Sequence, residues 1–373
     1  MSYINKYLRN FKPYKVASHK IWQTKPEERG NILKLDWNES TISPSPLVKA
    51  RLESLLKTDF LNLYPSTSNE QLYKLLSNYV ELPVENIQYF ASSDSLHEYI
   101  SKMYITVGDP VLILWPSYDN FRLTAEVAGA NVSYFELTSD FRFQKEEFEK
   151  MIMEKSPSLV YICNPNNPTG LSLEPDYILH LLNKFPSTMF LIDEAYIEFC
   201  PEYTCKDLVL KNNNILISRT MSKAFGLANV RFGYLIASAE NIRYISTIRN
   251  PKNITTFAQE AALGALQDVG YMQKYVNEVN KAKAFFVEEI NKKCSPIFKA
   301  FDSKANFVIV KCKSFSVKND ILYFLEENNI FVRNISQSPI VKDCIRITIG
   351  TLDQMKRVLL LLKQYVSEKA SAY

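Results

Sequence analysis

The chain has 373 residues, of which 46% are hydrophobic and 23% are charged, and its formal net charge is +4. These values are ordinary for a folded globular protein and argue against an intrinsically disordered chain. The charged residues form no basic cluster, so we expect no nucleic-acid partner. The six cysteines are scattered without CxxC pairs or histidines at ligand spacing, which indicates neither a disulfide framework nor a metal site.

The sequence also carries no signal for a membrane or an export pathway. Its first ten residues lack a continuous apolar segment, and the longest aliphatic runs, at 111–115 and 358–362, are far shorter than a membrane span of about 20 residues. We therefore expect no membrane association, reduced thiols and a cytoplasmic location.

Helical and strand patterns alternate over the first two thirds of the chain. A helical pattern over 47–56 precedes short apolar runs that are typical of strands, at 111–115, 159–163, 189–192, 215–217 and 234–237. This alternation predicts an α/β domain over residues 36–252, with three layers (αβα) and a mostly parallel sheet.

The pattern changes after about residue 252. Longer helical segments come first, then strand patterns at 306–310, 330–332 and 345–349, and then a final helix beginning near Leu352. We interpret residues 253–373 as a smaller α+β domain. The N-terminal arm, residues 1–35, is expected to join it.

Ligands of parallel α/β sheets bind beyond the carboxyl ends of the strands. One such end is followed by the segment 219–234, which contains Lys223 together with Thr220, Ser222 and Arg231. A lysine amine condenses with the aldehyde of pyridoxal phosphate, and the hydroxyl and cationic residues are of the types that bind its phosphate. The alternative for a Ser-Lys pair is a solvated surface.

Asp193 follows another predicted strand. An anion there could pair with the pyridine nitrogen of pyridoxal phosphate, and Tyr196 could donate to the phenolate oxygen of the ring. Two alternatives are a magnesium-binding Walker B strand and a strand end exposed to water. The chain has no GxxxxGK[ST] or GxGxxG loop, which weakens the nucleotide-binding interpretation.

Four further residues have both a functional and an ordinary interpretation. Asn167, before Pro168 in a loop with two prolines, could direct an amide donor at the cofactor, with a cis bond expected to help; the alternative is a simple turn. Tyr118 could stack on a flat heterocycle or belong to the core. Ser92 and Ser93, at the start of a helical pattern, could bind phosphate or merely cap the helix.

Together these segments resemble the fold-type I, pyridoxal-phosphate-dependent aminotransferases of class I/II, and are most similar to the histidinol-phosphate aminotransferase branch. The matching segments appear in family order at 35–39, 64–65, 164–170, 193–199, 219–234, 305–307 and 346–350. The resemblance implies pyridoxal 5'-phosphate as cofactor and three catalytic residues, Lys223, Asp193 and Tyr196.

The resemblance also implies a set of binding residues. Lys223 would carry the cofactor and move the proton, and Tyr64 would reach the phosphate from the neighbouring subunit, which implies a homodimer. The implied cofactor-binding set is Ser92, Ser93, Tyr118, Asn167, Asp193, Tyr196, Thr220, Ser222, Lys223, Arg231 and Tyr64. The implied substrate-binding set is Arg346 for a carboxylate, Arg333 for a carboxylate or a phosphate, and Asn38; a surface arginine is the alternative for Arg333.

The chain departs from the family pattern on the substrate side, with residues 38–41 in place of Asn-Glu-Asn-Pro, Ala91 and Asp94 in place of a glycine and a glutamate, and Lys252 in place of an aromatic residue. We therefore expect an aminotransferase that moves an amino group between glutamate and a small carbonyl compound, with or without a phosphate group. The departures weaken the case for histidinol phosphate itself. The alternatives are a pyridoxal-phosphate-dependent decarboxylase of a phospho-amino acid, a non-catalytic regulator and a magnesium NTPase.

Overall fold

The computed structural model of the protein describes residues 20–370, which form two β-sheets and the helices that connect their strands. The strands are β1 (Leu33–Leu35), β2 (Ile87–Phe90), β3 (Pro110–Trp115), β4 (Asn131–Glu136), β5 (Leu159–Cys163), β6 (Met189–Asp193), β7 (Ile215–Thr220), β8 (Gly233–Ala237), β9 (Phe298–Ala300), β10 (Phe307–Cys312), β11 (Ile330–Asn334) and β12 (Cys344–Thr348). The helices are α1 (Lys20–Gln23), α2 (Pro46–Leu56), α3 (Glu70–Val80), α4 (Ser93–Tyr104), α5 (Asn120–Val127), α6 (Lys145–Lys155), α7 (Pro175–Lys184), α8 (Ala239–Ile248), α9 (Thr256–Leu266), α10 (Val269–Lys293), α11 (Phe315–Glu327) and α12 (Leu352–Ala370).

The larger sheet has seven strands in the order β2-β8-β7-β6-β5-β3-β4. The strands from β7 to β4 pair in parallel, whereas β8 runs antiparallel to both of its neighbours. All five residues of β5 are buried, as expected for a central strand that helices cover on both faces. The predicted α/β class with a mostly parallel sheet is confirmed.

The smaller sheet has five strands in the order β1-β11-β12-β10-β9. Strand β1 pairs in parallel with β11, and the other pairs are antiparallel. The two long helices α10 and α12 pack against each other. The domain boundaries at residues 35 and 252 stay predictions, and residues 1–19 of the predicted arm lie outside the described residues. Within residues 20–370, no helix is long and apolar enough to cross a membrane.

The two sheets come together where the candidate residues lie. In the large sheet Asp193 of β6 lies directly beside Ser218 of β7, so the segments after these two strands begin at the same edge. Arg346 of β12, in the small sheet, donates to the side-chain oxygen of Asn167 over 2.6 Å and to the main-chain oxygen of Asp36 over 2.5 Å. A site formed here draws residues from both sheets.

Candidate active site

The Asp193 carboxylate is buried at the end of β6 and accepts three hydrogen bonds. Tyr161 donates its hydroxyl proton over 2.8 Å to Oδ2, while the Ser218 hydroxyl and the Ala195 main-chain N–H donate to Oδ1 over 3.1 Å and 3.2 Å. A carboxylate can accept about four hydrogen bonds. Asp193 therefore retains capacity for about one more donor.

Lys223 lies in the turn after β7, and its amine donates to the main-chain oxygen of Trp37 over 3.0 Å. Burial first, and then the neighbouring Arg346 guanidinium, lower the pKa of this amine to about 8. Both effects disfavour the charged form. An amine with this pKa is partly neutral near physiological pH and can attack a carbonyl.

The Tyr196 hydroxyl is held by two amides. Asn167 and Asn38 donate to its oxygen over 3.2 Å and 3.1 Å. Burial raises the pKa of the Tyr196 phenol well above its ordinary value, so the hydroxyl keeps its proton. Because Tyr196 accepts from both amides, its own proton remains available for donation to a bound ligand. The Asn167–Pro168 peptide bond is cis, as expected from the sequence.

A cluster of small polar groups surrounds the start of α4. Ser92 caps this helix through its side chain, and Ser93 is the first helical residue. Gly233 of β8 faces them so closely that a Cβ atom on it would lie 2.5 Å from the Ser93 nitrogen. Thr220 and Ser222 lie within 2.9 Å of each other through their hydroxyls, and Arg231 donates to the Ser222 hydroxyl over 3.4 Å. A helix N-terminus, hydroxyls and a guanidinium together suit a phosphate.

Asp94 connects several of the predicted residues. Its carboxylate accepts from Tyr118, from Asn120 and from Arg231, over 3.0 Å, 3.0 Å and 2.9 Å. The aromatic residue expected to stack on the cofactor and the cation expected to bind its phosphate are thus held by the same side chain. Asp94 is not among the residues that the sequence pattern identified as functional.

The two predicted substrate arginines are directly opposite each other on adjacent strands. Arg333 of β11 pairs in register with Arg346 of β12. Directly opposite residues of an antiparallel pair have neighbouring side chains on one face, and like charges in this arrangement repel each other. An anion between the two guanidinium groups would relieve this repulsion.

Asn38 and Tyr64 are the two remaining residues that the sequence predicted for the site. Asn38 is buried, and besides Tyr196 it contacts Thr348, whose hydroxyl donates to its side-chain oxygen over 3.1 Å. Tyr64 is 79% exposed, and the Lys252 amine lies 4.4 Å from the centre of its ring. The structure therefore places Tyr64 on the surface of its own chain.

The available donors and acceptors fit pyridoxal phosphate as a set. The molecule carries a pyridine nitrogen, an aldehyde, a phenolic oxygen and a phosphate. For these groups the chain offers, in the same order, the carboxylate of Asp193, the amine of Lys223, the proton of Tyr196 and the cluster at the start of α4. When bound, the cofactor supplies an electron sink for charge that develops on the substrate carbon.

Sequence reasoning missed the residues that surround Asp193: His97, Tyr161 and Ser218. Tyr161 and Ser218 belong to apolar strands, where a single polar side chain is easily taken as part of the core. His97 lies four residues after Ser93 and therefore on the same helical face. The signal available in the sequence for His97 was a histidine near Leu96 and Ile100 in a helical pattern.

Comparison with known proteins gives a consistent result. The model of the family "aminotransferase class I and II" matches residues 30–361. The dihydroxyacetone phosphate transaminase of Campylobacter jejuni is 41% identical over 98% of both chains. The histidinol-phosphate aminotransferase of Ruminiclostridium cellulolyticum is 36% identical over 86% of this chain and 89% of its own.

A solved structure extends the similarity to the fold. The histidinol-phosphate aminotransferase of Sinorhizobium meliloti, in complex with pyridoxal 5'-phosphate, superposes with a TM-score of 0.86 at 22% identity and covers 99% of this chain and 98% of its own. The chain described here therefore belongs to the aminotransferase class I and II family, and is an aminotransferase with pyridoxal 5'-phosphate as its cofactor.

Proposed function

We propose that this aminotransferase moves an amino group between glutamate and a small phosphorylated carbonyl compound. The observation that carries the proposal is the register pair of Arg333 and Arg346, because two arginines directly opposite each other on one face of a sheet favour an anion that both can reach. The 41% identical relative is a transaminase of dihydroxyacetone phosphate, which is a small phosphorylated ketone.

Within this proposal each group of residues has a distinct task. Lys223 would hold the cofactor covalently through its amine, and the same amine, once the amino group of the substrate has displaced it, would move a proton at the substrate carbon. Asp193 accepts the N–H of the pyridine ring, and Tyr196, oriented by Asn167, donates to the phenolic oxygen. Tyr118 stacks on the ring.

The phosphate of the cofactor and the substrate are bound at separate places. We assign the cofactor phosphate to Ser92, Ser93, Thr220, Ser222 and Arg231. Arg346 and Arg333 bind the anionic group of the substrate, either the carboxylate of glutamate or the phosphate of the carbonyl partner. Asn38 lines the substrate side and supports Tyr196.

The proposal is tested by comparing amino acceptors. The enzyme is first converted to its amino form with glutamate, and the return of the visible absorbance band is then followed with dihydroxyacetone phosphate or with unphosphorylated dihydroxyacetone. We expect the phosphorylated ketone to react at far lower concentration, and Arg333→Gln to reduce this preference while glutamate still reacts. Equal reaction with both ketones would contradict a phosphate-binding role.

Decarboxylation of a phospho-amino acid is less supported than transamination. Both chemistries use a lysine and an aspartate, but the curated relatives at 41% and 36% identity are transaminases. Release of CO₂ from O-phosphothreonine, with no keto acid consumed, is the result that would favour the decarboxylase.

We also propose that the enzyme is a homodimer with the active site at the subunit interface. Five apolar side chains of residues 56–64 are more than half exposed: Leu56, Phe60, Leu61, Leu63 and Tyr64. A cavity of about 440 Å³ lies beside Arg231, with Asn253 and Thr255 in its wall. A partner subunit that covers the apolar segment and places its Tyr64 near Arg231 would account for both features.

A cytoplasmic location is the last part of the proposal. All six cysteines are unpaired and buried. Unpaired thiols are typical of proteins in a reducing compartment. Detection of the enzyme in the soluble fraction of fractionated cells, with no signal outside the cytoplasm, is the expected outcome.

A further inference from the structure

His97 is a buried histidine that contacts the carboxylate end of the site. It belongs to α4 and has no exposed surface. Its Nε2 atom lies 3.0 Å from the Ser218 hydroxyl and 3.9 Å from Oδ2 of Asp193. The imidazole ring meets Phe121 and Tyr161 edge to face, with centroid distances of 5.7 Å and 5.8 Å.

The hydrogen bonds around Ser218 determine which atom carries the proton. A carboxylate only accepts, so the single hydroxyl proton of Ser218 goes to Asp193. The oxygen of Ser218 must then accept from His97, which requires a proton on Nε2. The result is a directed chain of donors from His97 through Ser218 to Asp193.

We infer that His97 is a positioning residue, which acts through Ser218 to hold the Asp193 carboxylate toward the pyridine nitrogen of the cofactor. The inference rests on the role proposed above for Asp193. With His97 in place, the Ser218 hydroxyl cannot turn its proton elsewhere, and Asp193 keeps an acceptor position free for the ring N–H.

The alternative is a histidine that only fills space. Burial of an imidazole is costly unless its polar atoms are bonded, and Nδ1 of His97 has no hydrogen-bond partner among residues 20–370. An apolar side chain would fill the same space without this cost. Within the described part of the chain, the one side-chain hydrogen bond of His97 is to Ser218, and the proton of Ser218 goes on to Asp193.

The position of His97 in α4 adds a second consequence. The same helix begins with Ser93 in the proposed phosphate cluster, and His97 follows it by one turn on the same face. One rigid element therefore sets both the phosphate end and the pyridine end of the cofactor site.

The test compares His97→Leu, which removes the donor, with His97→Gln, whose amide N–H lies near the position of Nε2. The readouts are the dissociation constant of pyridoxal phosphate and the ¹⁵N resonance of its pyridine nitrogen when bound. We expect His97→Leu to bind about tenfold more weakly and to shift the resonance toward the unprotonated form, and His97→Gln to restore most of both. An unchanged resonance in His97→Leu would overturn the inference.

Two controls keep the result interpretable. Phe121→Leu disturbs packing against the imidazole but removes no hydrogen bond, so its pyridine resonance should match wild type. Ser218→Ala breaks the same chain at its other member and should shift the resonance as His97→Leu does, even where His97→Leu does not fold.

The wild-type protein gives an independent check. The chain has only three histidines, so labelling with [¹⁵N]histidine gives a readable spectrum in which Nε2 of His97 should be protonated, and an unprotonated Nε2 would contradict the donor chain. If the wild type binds no pyridoxal phosphate, the proposed function fails. If it binds the cofactor and His97→Leu behaves identically, only this inference fails.

Discussion

In its proposed role Lys223 has to meet two demands. Its amine must be neutral to attack a carbonyl, and it must be accommodated in a buried turn where it forms no ion pair with another residue of the range 20–370. Burial and the positive field of Arg346 lower the pKa of Lys223 to about 8. The main-chain oxygen of Trp37 gives the amine a hydrogen bond without adding a charge that would raise its pKa again.

The first prediction concerns the pH dependence of cofactor attachment. The rate at which cofactor-free enzyme gains the visible absorbance band should rise with pH, reach half of its maximum near pH 8, where half of the amine is neutral, and level off above about pH 9. In Arg346→Gln the plateau should move to higher pH, since the nearby positive charge is gone. A wild-type rate that still rises beyond pH 10, as for an ordinary lysine, would contradict this prediction.

Glu198 is a buried carboxyl group whose Oε2 atom has no hydrogen-bond partner among the described residues. Burial raises the pKa of Glu198 to about 7, although Arg219 opposes the shift. Tyr79 donates to the other oxygen over 3.4 Å. The Glu198 carboxyl group is therefore more easily protonated in the folded protein than in the unfolded chain.

The second prediction follows from the raised pKa of Glu198. The folded pKa of Glu198 lies above the unfolded value of about 4.3, so its contribution to stability is complete at low pH and is lost as pH rises through about 7. Glu198→Gln does not titrate and should unfold with a free energy higher by about 3–4 kcal/mol at pH 8. Denaturant titrations at pH 5 should show only about 1 kcal/mol of this difference. A difference that is equal at both pH values would contradict the assignment.

At the scale of elements, the contact between β8 and the start of α4 decides the shape of the phosphate cluster. The strand and the helix approach so closely at Gly233 that any side chain would displace the main chain of Ser92 and Ser93. A glycine is required at this position because the main chain of Ser92 and Ser93 lies so close. The backbone conformation of Gly233 does not itself require a glycine.

The third prediction tests this contact. Gly233→Ala should lower the free energy of unfolding by about 1–3 kcal/mol through overpacking and should weaken cofactor binding, because the helix N-terminus moves. Gly270→Ala is the matched control, since a Cβ atom there meets no atom within 4 Å. Calorimetry and cofactor titration of both variants measure the difference. Cofactor binding at wild-type strength in Gly233→Ala would show that the cluster does not bind the phosphate.

Prediction from the sequence succeeded where elements were long or strongly apolar. The runs at 159–163 and 189–192 are wholly or largely apolar, and the structure has β5 and β6 there. Strand β4 escaped notice because it lies at the sheet edge, where Asn131 and Glu136 remain exposed and leave little apolar pattern. Strand β1 has only three residues, and its pairing with β11 depends on a contact almost 300 residues away in the chain.

For the site, too, some residues could be predicted from the sequence and others could not. Residues directly after strands could be identified because the carboxyl ends of parallel strands share an edge. His97 and Asp94 could not, because their roles depend on which strand a helix packs against. Side-chain partners of this kind are set by tertiary packing. A histidine within an apolar helical pattern can be noticed in the sequence, but its partner cannot be read from it.

At the scale of the whole molecule, the exposed apolar segment 56–64 and the cavity beside Arg231 lead to the fourth prediction. The enzyme should sediment at twice the 43.1 kDa of one chain. Tyr64→Ala should bind cofactor weakly. Lys223→Ala should be inactive. Co-expression of the two variants should restore activity, because a mixed dimer contains one site with an intact Lys223 and an intact Tyr64 from the other subunit.

The control for the mixing experiment is each variant expressed alone. Activity in the mixture that equals the sum of the separate variants would mean that Tyr64 acts within its own chain. A monomeric enzyme with full activity would contradict the proposed interface altogether.

The central claim is that Lys223 carries the cofactor through which the amino group passes. The most direct test compares wild type and Lys223→Ala, both loaded with pyridoxal phosphate, before and after addition of glutamate. We expect the wild type to show a visible absorbance band that glutamate removes and dihydroxyacetone phosphate restores, whereas Lys223→Ala should bind cofactor without a covalent bond and turn over orders of magnitude more slowly. Wild-type turnover in Lys223→Ala would contradict it.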